Sequence, residues 1–113
     1  HAAAGRLPDI VGAMNGRGLA EFSAALAAAQ LWLPPALQAL GSEAAIKATR
    51  FRPADAVAML AAFGQLRWDQ TAASEALAIR IAESAHRLSA PQIGLALRAL
   101  AQLPRARDAA HGA

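Results

Sequence analysis

A chain of 113 residues and 11.6 kDa is the size of one domain, enough for a single core of about five to seven helices. Its 34 alanines and 15 leucines, against 2 valines, 5 isoleucines and no tyrosine, exclude all-β and α/β folds, and 56% apolar residues exclude intrinsic disorder. No cysteine means no disulfide, thiolate zinc site or iron–sulfur cluster, and ten arginines and one lysine against eight acids leave a mild +3.

In chain order, Leu7 to Asn15 reads as the last part of a helix closed by Asn15-Gly16. The opening His1-Ala-Ala-Ala-Gly lacks the charged and apolar pattern of a signal peptide. A first full helix then ends at Ala27-Ala-Ala-Gln30-Leu31. Phe22 to Ser42 carries no charge over 21 residues, near the length of a membrane span. Pro34-Pro35 divides it, so two short helices meeting at the prolines are expected, with no membrane insertion. The next helix is predicted over Pro34 to Thr49, with Glu43 and Lys47 as an i,i+4 pair.

The helix that follows starts at Pro53, where a missing N–H costs nothing, and places Asp55 near its positive end. It runs to Leu66 and is apolar nearly all round, so it must be covered on most sides. From Asp69 or Thr71 to His86 the apolar stripe is Ala73, Leu77, Ile81 and Ala85, widened by Ala78 and Ala82. Glu83 and Arg87 are spaced to pair. A last helix is predicted over Ala90 to Leu103, stopped by Pro104. Ser89 and Gln92 form a capping box there, and Leu88 with Ile93 is spaced as a hydrophobic staple. Leu60, Leu77, Ile81 and Leu97 are the expected core.

These elements repeat. Phe51 to Leu66 precedes Leu88 to Leu103 by 37 residues, matching Leu60 with Leu97 and Gln65-Leu66 with Gln102-Leu103. Ala45, Ala48 and Arg50 precede Ala82, Ala85 and Arg87 by the same interval, while Gln30-Leu31 lies 35 before Gln65-Leu66. The two intervals imply a length change of two residues between helices. The expected fold is all-α: a right-handed α-solenoid fragment of two to three helical hairpins with a period of about 35–37 residues. It forms one domain with units near 17–50, 51–87 and 88–113, preceded by a partial helix at 7–15. Neither end reads as a polar cap, which suggests a piece of a longer array or a small subunit docked onto something larger.

The phrase Leu88-Ser-Ala-Pro-Gln-Ile-Gly-Leu-Ala-Leu-Arg-Ala-Leu-Ala-Gln-Leu103 resembles the first-helix signature of organellar helical repeats. These are the octotricopeptide and heptatricopeptide repeats and the helical region of FAST-kinase-like proteins. The resemblance covers Phe51 to Leu103 and, more loosely, Gly18 to Arg50. It departs where those families carry a bulky Trp-Ala pair, here Ala61-Ala62 or Arg98-Ala99. It implies RNA binding in mitochondria or, alternatively, plastids, as a ribosomal or RNA-processing subunit. No RAP-type domain follows, so no associated RNA-directed activity is carried over.

Catalytic patterns do not emerge. His1, His86 and His111 form no metal-binding spacing, Gly16-Arg17-Gly18 is no phosphate loop, and no serine sits in a nucleophile elbow. The chain is read as a non-enzyme with neither cofactor nor metal. For RNA the candidate contacts are Arg50, Arg52 and Arg87 at junctions between units, with Arg67 and Arg105 after first helices. Cations repeated once per unit suit a phosphate track. Trp32 and Trp68 follow successive first helices and have the chemistry to stack a base, Trp68 being the candidate contact, although packing in the core or between helices is the simpler account of both. The expected function is a non-catalytic RNA-binding or ribonucleoprotein subunit of an organelle. The alternative is a protein–protein scaffold subunit of a large organellar complex. One stripe of arginines favours RNA; arginines scattered among Asp and Glu favour protein.

Overall fold

Helix starts divide the chain as the sequence suggests, with one exception. The computed structural model describes residues 10–103, in which every regular element is helical. The helices are α1 (Gly16–Ala28), α2 (Pro34–Lys47), α3 (Pro53–Leu66), α4 (Thr71–Glu83) and α5 (Ala90–Gln102). Single 3₁₀ turns at Ala48–Arg50 and Ala85–Arg87 follow α2 and α4. They end those helices a little before Thr49 and His86. Residues 10–12 are the last turn of an earlier helix; residues 7–9 of that expected element lie outside the described ones.

The exception is Asn15. It does not close the preceding helix but caps α1, its Oδ1 accepting the Gly18 N–H at 2.9 Å. A short polar side chain does either job, and here the following apolar run decides for a start. At α5 the capping box is complete: Ser89 Oγ accepts the Gln92 N–H at 3.3 Å, and Gln92 Oε1 accepts the Ser89 N–H at 2.8 Å. Pro34 and Pro53 occupy the first turns of α2 and α3. α1 and α3 end alike. Gln30 and Arg67 both take the left-handed conformation, φ 55°. After α3, the Arg67 N–H bonds Gly64 O and the Trp68 N–H bonds Phe63 O; after α1, Gln30 and Leu31 bond Ala27 O and Leu26 O. That pattern is a Schellman cap built without glycine.

The interval between equivalent features is uniform. Gly16, Pro53 and Ala90 begin α1, α3 and α5 at 37-residue spacing, and so do Pro34 and Thr71 for α2 and α4, and the two 3₁₀ turns. Gln30 and Arg67, the left-handed residues, are also 37 apart. The expected 35-residue offset and two-residue length change are therefore wrong: Gln30 is the counterpart of Arg67, not of Gln65, while Gln65-Leu66 keeps its match with Gln102-Leu103 at 37 residues.

Packing follows from composition. α3 lies between α1 and α5 and also packs on α4, while α2 packs on α4, so first helices lie beside first helices and second beside second. This explains why α3 is apolar nearly all round: Ala56, Val57, Met59, Leu60, Ala62 and Phe63 are all buried. Small residues bring the helices close. A Cβ added at Gly64 would lie 3.1 Å from Ala99 Cα, so α5 runs directly against that glycine. Leu60, Leu77 and Ile81 are core as expected. Leu97 is not: it is 61% exposed, because α5 has α3 on one side only and Leu97 points away from it. Ala82 and Ala85 are also exposed, which narrows the α4 stripe to Ala73, Leu77, Ala78 and Ile81.

Cations hold the junctions. Lys47 Nζ donates to Gly12 O at 2.9 Å and Met14 O at 2.8 Å, and Arg80 Nε donates to Phe51 O at 3.0 Å. Met14 and Phe51 are equivalent residues 37 apart, so the same carbonyl is satisfied twice from the following second helix. Glu43 pairs with Lys47 at 3.0 Å as expected. Glu83 and Arg87 form no ion pair, since α4 ends at Glu83 and Arg87 lies in the 3₁₀ turn beyond it.

Candidate nucleic-acid interface

The candidate contacts divide between the two ends of the helices. Arg52 directly precedes α3 and Arg67 directly follows it. Fourteen helical residues separate them, roughly 20 Å at 1.5 Å per residue. Arg50, Arg52 and Arg87 sit where second helices hand over to first ones; Arg67, Trp32 and Trp68 sit at the opposite edge. They do not form one site.

At the first edge, Arg50 closes the 3₁₀ turn and Arg52 precedes Pro53 in extended conformation, φ −65° and ψ 146°. Both are exposed. Together with Arg17, Asn15, Gly16 and Asp55 they line a depression of about 270 Å³. Arg17 is a residue that sequence reasoning did not single out. It has no counterpart among the repeated cations, since residues 54 and 91 are Ala and Pro, so only its place beside a helix start offers a signal. Its Nε pairs with Glu21 Oε1 at 2.8 Å, both side chains being largely exposed. Such a pair is weak and easily exchanged for another anion. Arg87 repeats the place of Arg50 one unit later and is exposed too.

The same edge gathers the N-termini of α1, α3 and α5, the positive ends of three helix dipoles. α1 and α5 are capped by Asn15 and Ser89, whereas no side chain caps α3, whose N-cap residue is Arg52. First-turn N–H groups beside Arg50 and Arg52 are the donor set that suits a phosphate or carboxylate. Asp55, in the first turn of α3, partly offsets that field. Lys47 and Arg80 lie near by but are committed to backbone carbonyls.

At the second edge, Trp32 and Trp68 meet edge to face, ring centroids 5.3 Å apart and planes at 74°. With Gln38, Arg67, Asp69 and Gln70 they line an open groove of about 440 Å³. Trp68 is half-buried against the core, its Nε1 buried without a hydrogen-bond partner. Packing therefore accounts for Trp68, and Trp32, 49% exposed, is the more open of the two rings. Arg105 lies outside the described residues.

Among the described residues no group of three His, Cys, Asp or Glu side chains is placed to hold a metal ion, and no helix is long and apolar enough to cross a membrane. Comparison with protein-family models, with curated proteins and with solved structures finds no match.

Proposed function

We propose that the chain is a non-catalytic helical-repeat RNA-binding or ribonucleoprotein subunit that tracks the phosphate backbone along the edge bearing Arg17, Arg50, Arg52 and Arg87. One observation carries the reading: Arg17, Arg50 and Arg52 line one depression, with Asp55, beside the α3 N-terminus that no side chain caps. Arg87 repeats Arg50 one unit later; the helix start there is capped by Ser89, so the cation alone extends the phosphate track. Side-by-side stacking of first helices and of second helices at a constant interval supports an α-solenoid of helical hairpins as the framework. The resemblance of Phe51 to Leu103 to organellar repeats supports a mitochondrial setting, with a plastid as the alternative.

A salt titration of binding to single-stranded RNA tests the proposal. Replacing Arg50 and Arg87 together by Ala should weaken binding with little regard to sequence and flatten the log–log salt slope by roughly 0.7 for each phosphate no longer neutralised. Arg67→Ala, at the opposite edge, should leave both affinity and slope unchanged. Equal slopes for wild type and double variant would remove these arginines from RNA binding. A second reading, a protein–protein scaffold subunit of an organellar complex, rests on the uncovered Ile93 and Leu97 of α5. It predicts RNA affinity no greater than that of a control protein of equal charge.

A further inference from the structure

The chain builds one kind of helix-to-helix contact twice, between α1 and α3 and between α3 and α5. Each contact has two halves, and the 37-residue equivalence of the helix starts identifies them in every first helix. One half is seen where α5 meets α3: Ala96, Ala99 and Leu103 are buried, and Ala99 lies against Gly64. Their counterparts in α3, Met59, Ala62 and Leu66, are buried or partly so. The counterparts in α1 are Phe22, Ala25 and Ala29, of which Ala25 and Ala29 are exposed and Phe22 is partly buried against the core.

The other half is complementary in its fate. Leu19, Ala20, Ser23 and Ala27 of α1 are buried, and so are Ala56, Val57, Leu60 and Gly64 of α3. In α5 the same positions are Ile93, Gly94, Leu97 and Ala101, and all four are exposed. A Cβ added at Gly94 would meet nothing within 4 Å, where its counterpart Val57 is 1% exposed. Among the described residues two half-contacts that match each other are thus open, one on α1 and one on α5. Neither set of residues carries a charge, so closing them strands no ion away from water.

We propose that the chain associates head to tail with a second copy, the open face of α5 in one molecule receiving the open face of α1 in the next. The contact reproduces the one already made inside the chain, which is what selects a second copy as the occupant. Because the two faces differ, the association is heterologous and does not close on itself at two copies. A symmetric dimer through α5 alone would match Leu97 with Leu97, a pairing that no internal contact shows.

Sedimentation equilibrium on the chain tests this with two charge variants at exposed positions, Leu97→Glu and Ala25→Glu, both checked for unchanged helicity and thermal midpoint. The wild type should show a mass that rises with concentration and passes that of a dimer. Each variant should weaken self-association at least about a hundredfold, since a glutamate would be buried unpaired. An equimolar mixture of the two should recover a dimer and stop there, because one variant keeps a sound α1 face and the other a sound α5 face. A wild type that stays monomeric at millimolar concentration overturns the proposal. So does a dimer indifferent to Ala25→Glu, or a mixture that stays monomeric.

Discussion

Leu60 and Leu97 hold the same place in consecutive units, yet one has no solvent access and the other is 61% exposed. Truncating each to Ala separates what the residue is from what covers it. At Leu60 the missing methyl groups leave a void lined by α3 and its neighbours, and the cost of such a change is about 2–5 kcal/mol. A domain of this size has a total stability of about 5–15 kcal/mol, so a large share is lost. At Leu97 the removed carbons already face water, and the change should stay within about 0.5 kcal/mol. Urea denaturation followed by far-UV circular dichroism reads both, at a concentration low enough to keep the chain monomeric. With a slope of about 1–3 kcal/mol per molar urea, a loss of about 3 kcal/mol moves the midpoint by about 1–3 M, and Leu97→Ala should hardly move it. Equal losses at the two positions would refute the assignment of open and covered faces.

Other outcomes follow from caps and close contacts. Ser89→Ala removes the capping box of α5 and should cost about 1 kcal/mol in the same denaturation assay, with Asn15→Ala similar at α1. Gly64→Leu forces α5 away from α3, because a Cβ there already lies 3.1 Å from the Ala99 backbone; a loss of about 1–3 kcal/mol is expected. Gly94→Ala, in open space within α5, should instead raise stability by about 0.5–1 kcal/mol through helix propensity alone.

Much of this was legible in the chain. Prolines at 34 and 53 and the Ser89–Gln92 box mark helix starts through chemistry that acts locally, so the sequence reports them directly. The even spacing was harder to read. Its clearest markers are Gln30 and Arg67, whose left-handed backbone repeats without a glycine to announce it, and alanine matches carry little information in an alanine-rich chain. The junction carbonyls show the same difficulty. Lys47 and Arg80 satisfy them from places one helical turn out of register, so an alignment at constant interval sets Lys47 against Ser84 and Arg80 against Glu43. Leu97 departs from its expected burial for another reason: an apolar side chain marks a face that can be buried, and burial depends on whether a helix covers it. The separation of Arg52 from Arg67 was in principle available, since a helix running between two residues keeps them a helix length apart. The cluster around the α3 start was not, because Arg17 joins it through contact between units.

The position of α3 has a consequence for how the chain folds. Its partners α1, α4 and α5 are all drawn from its own or an adjacent unit, so core contacts join segments of modest sequence separation and loop closure is entropically cheap. Such topologies fold fast. α3 alone touches both other first helices, which makes it the natural nucleus, with α1 and α5 adding from either side. Native-state hydrogen exchange should show the reverse order on opening, with the outer helices detaching first and amide protons in α3 exchanging only when the whole domain comes apart.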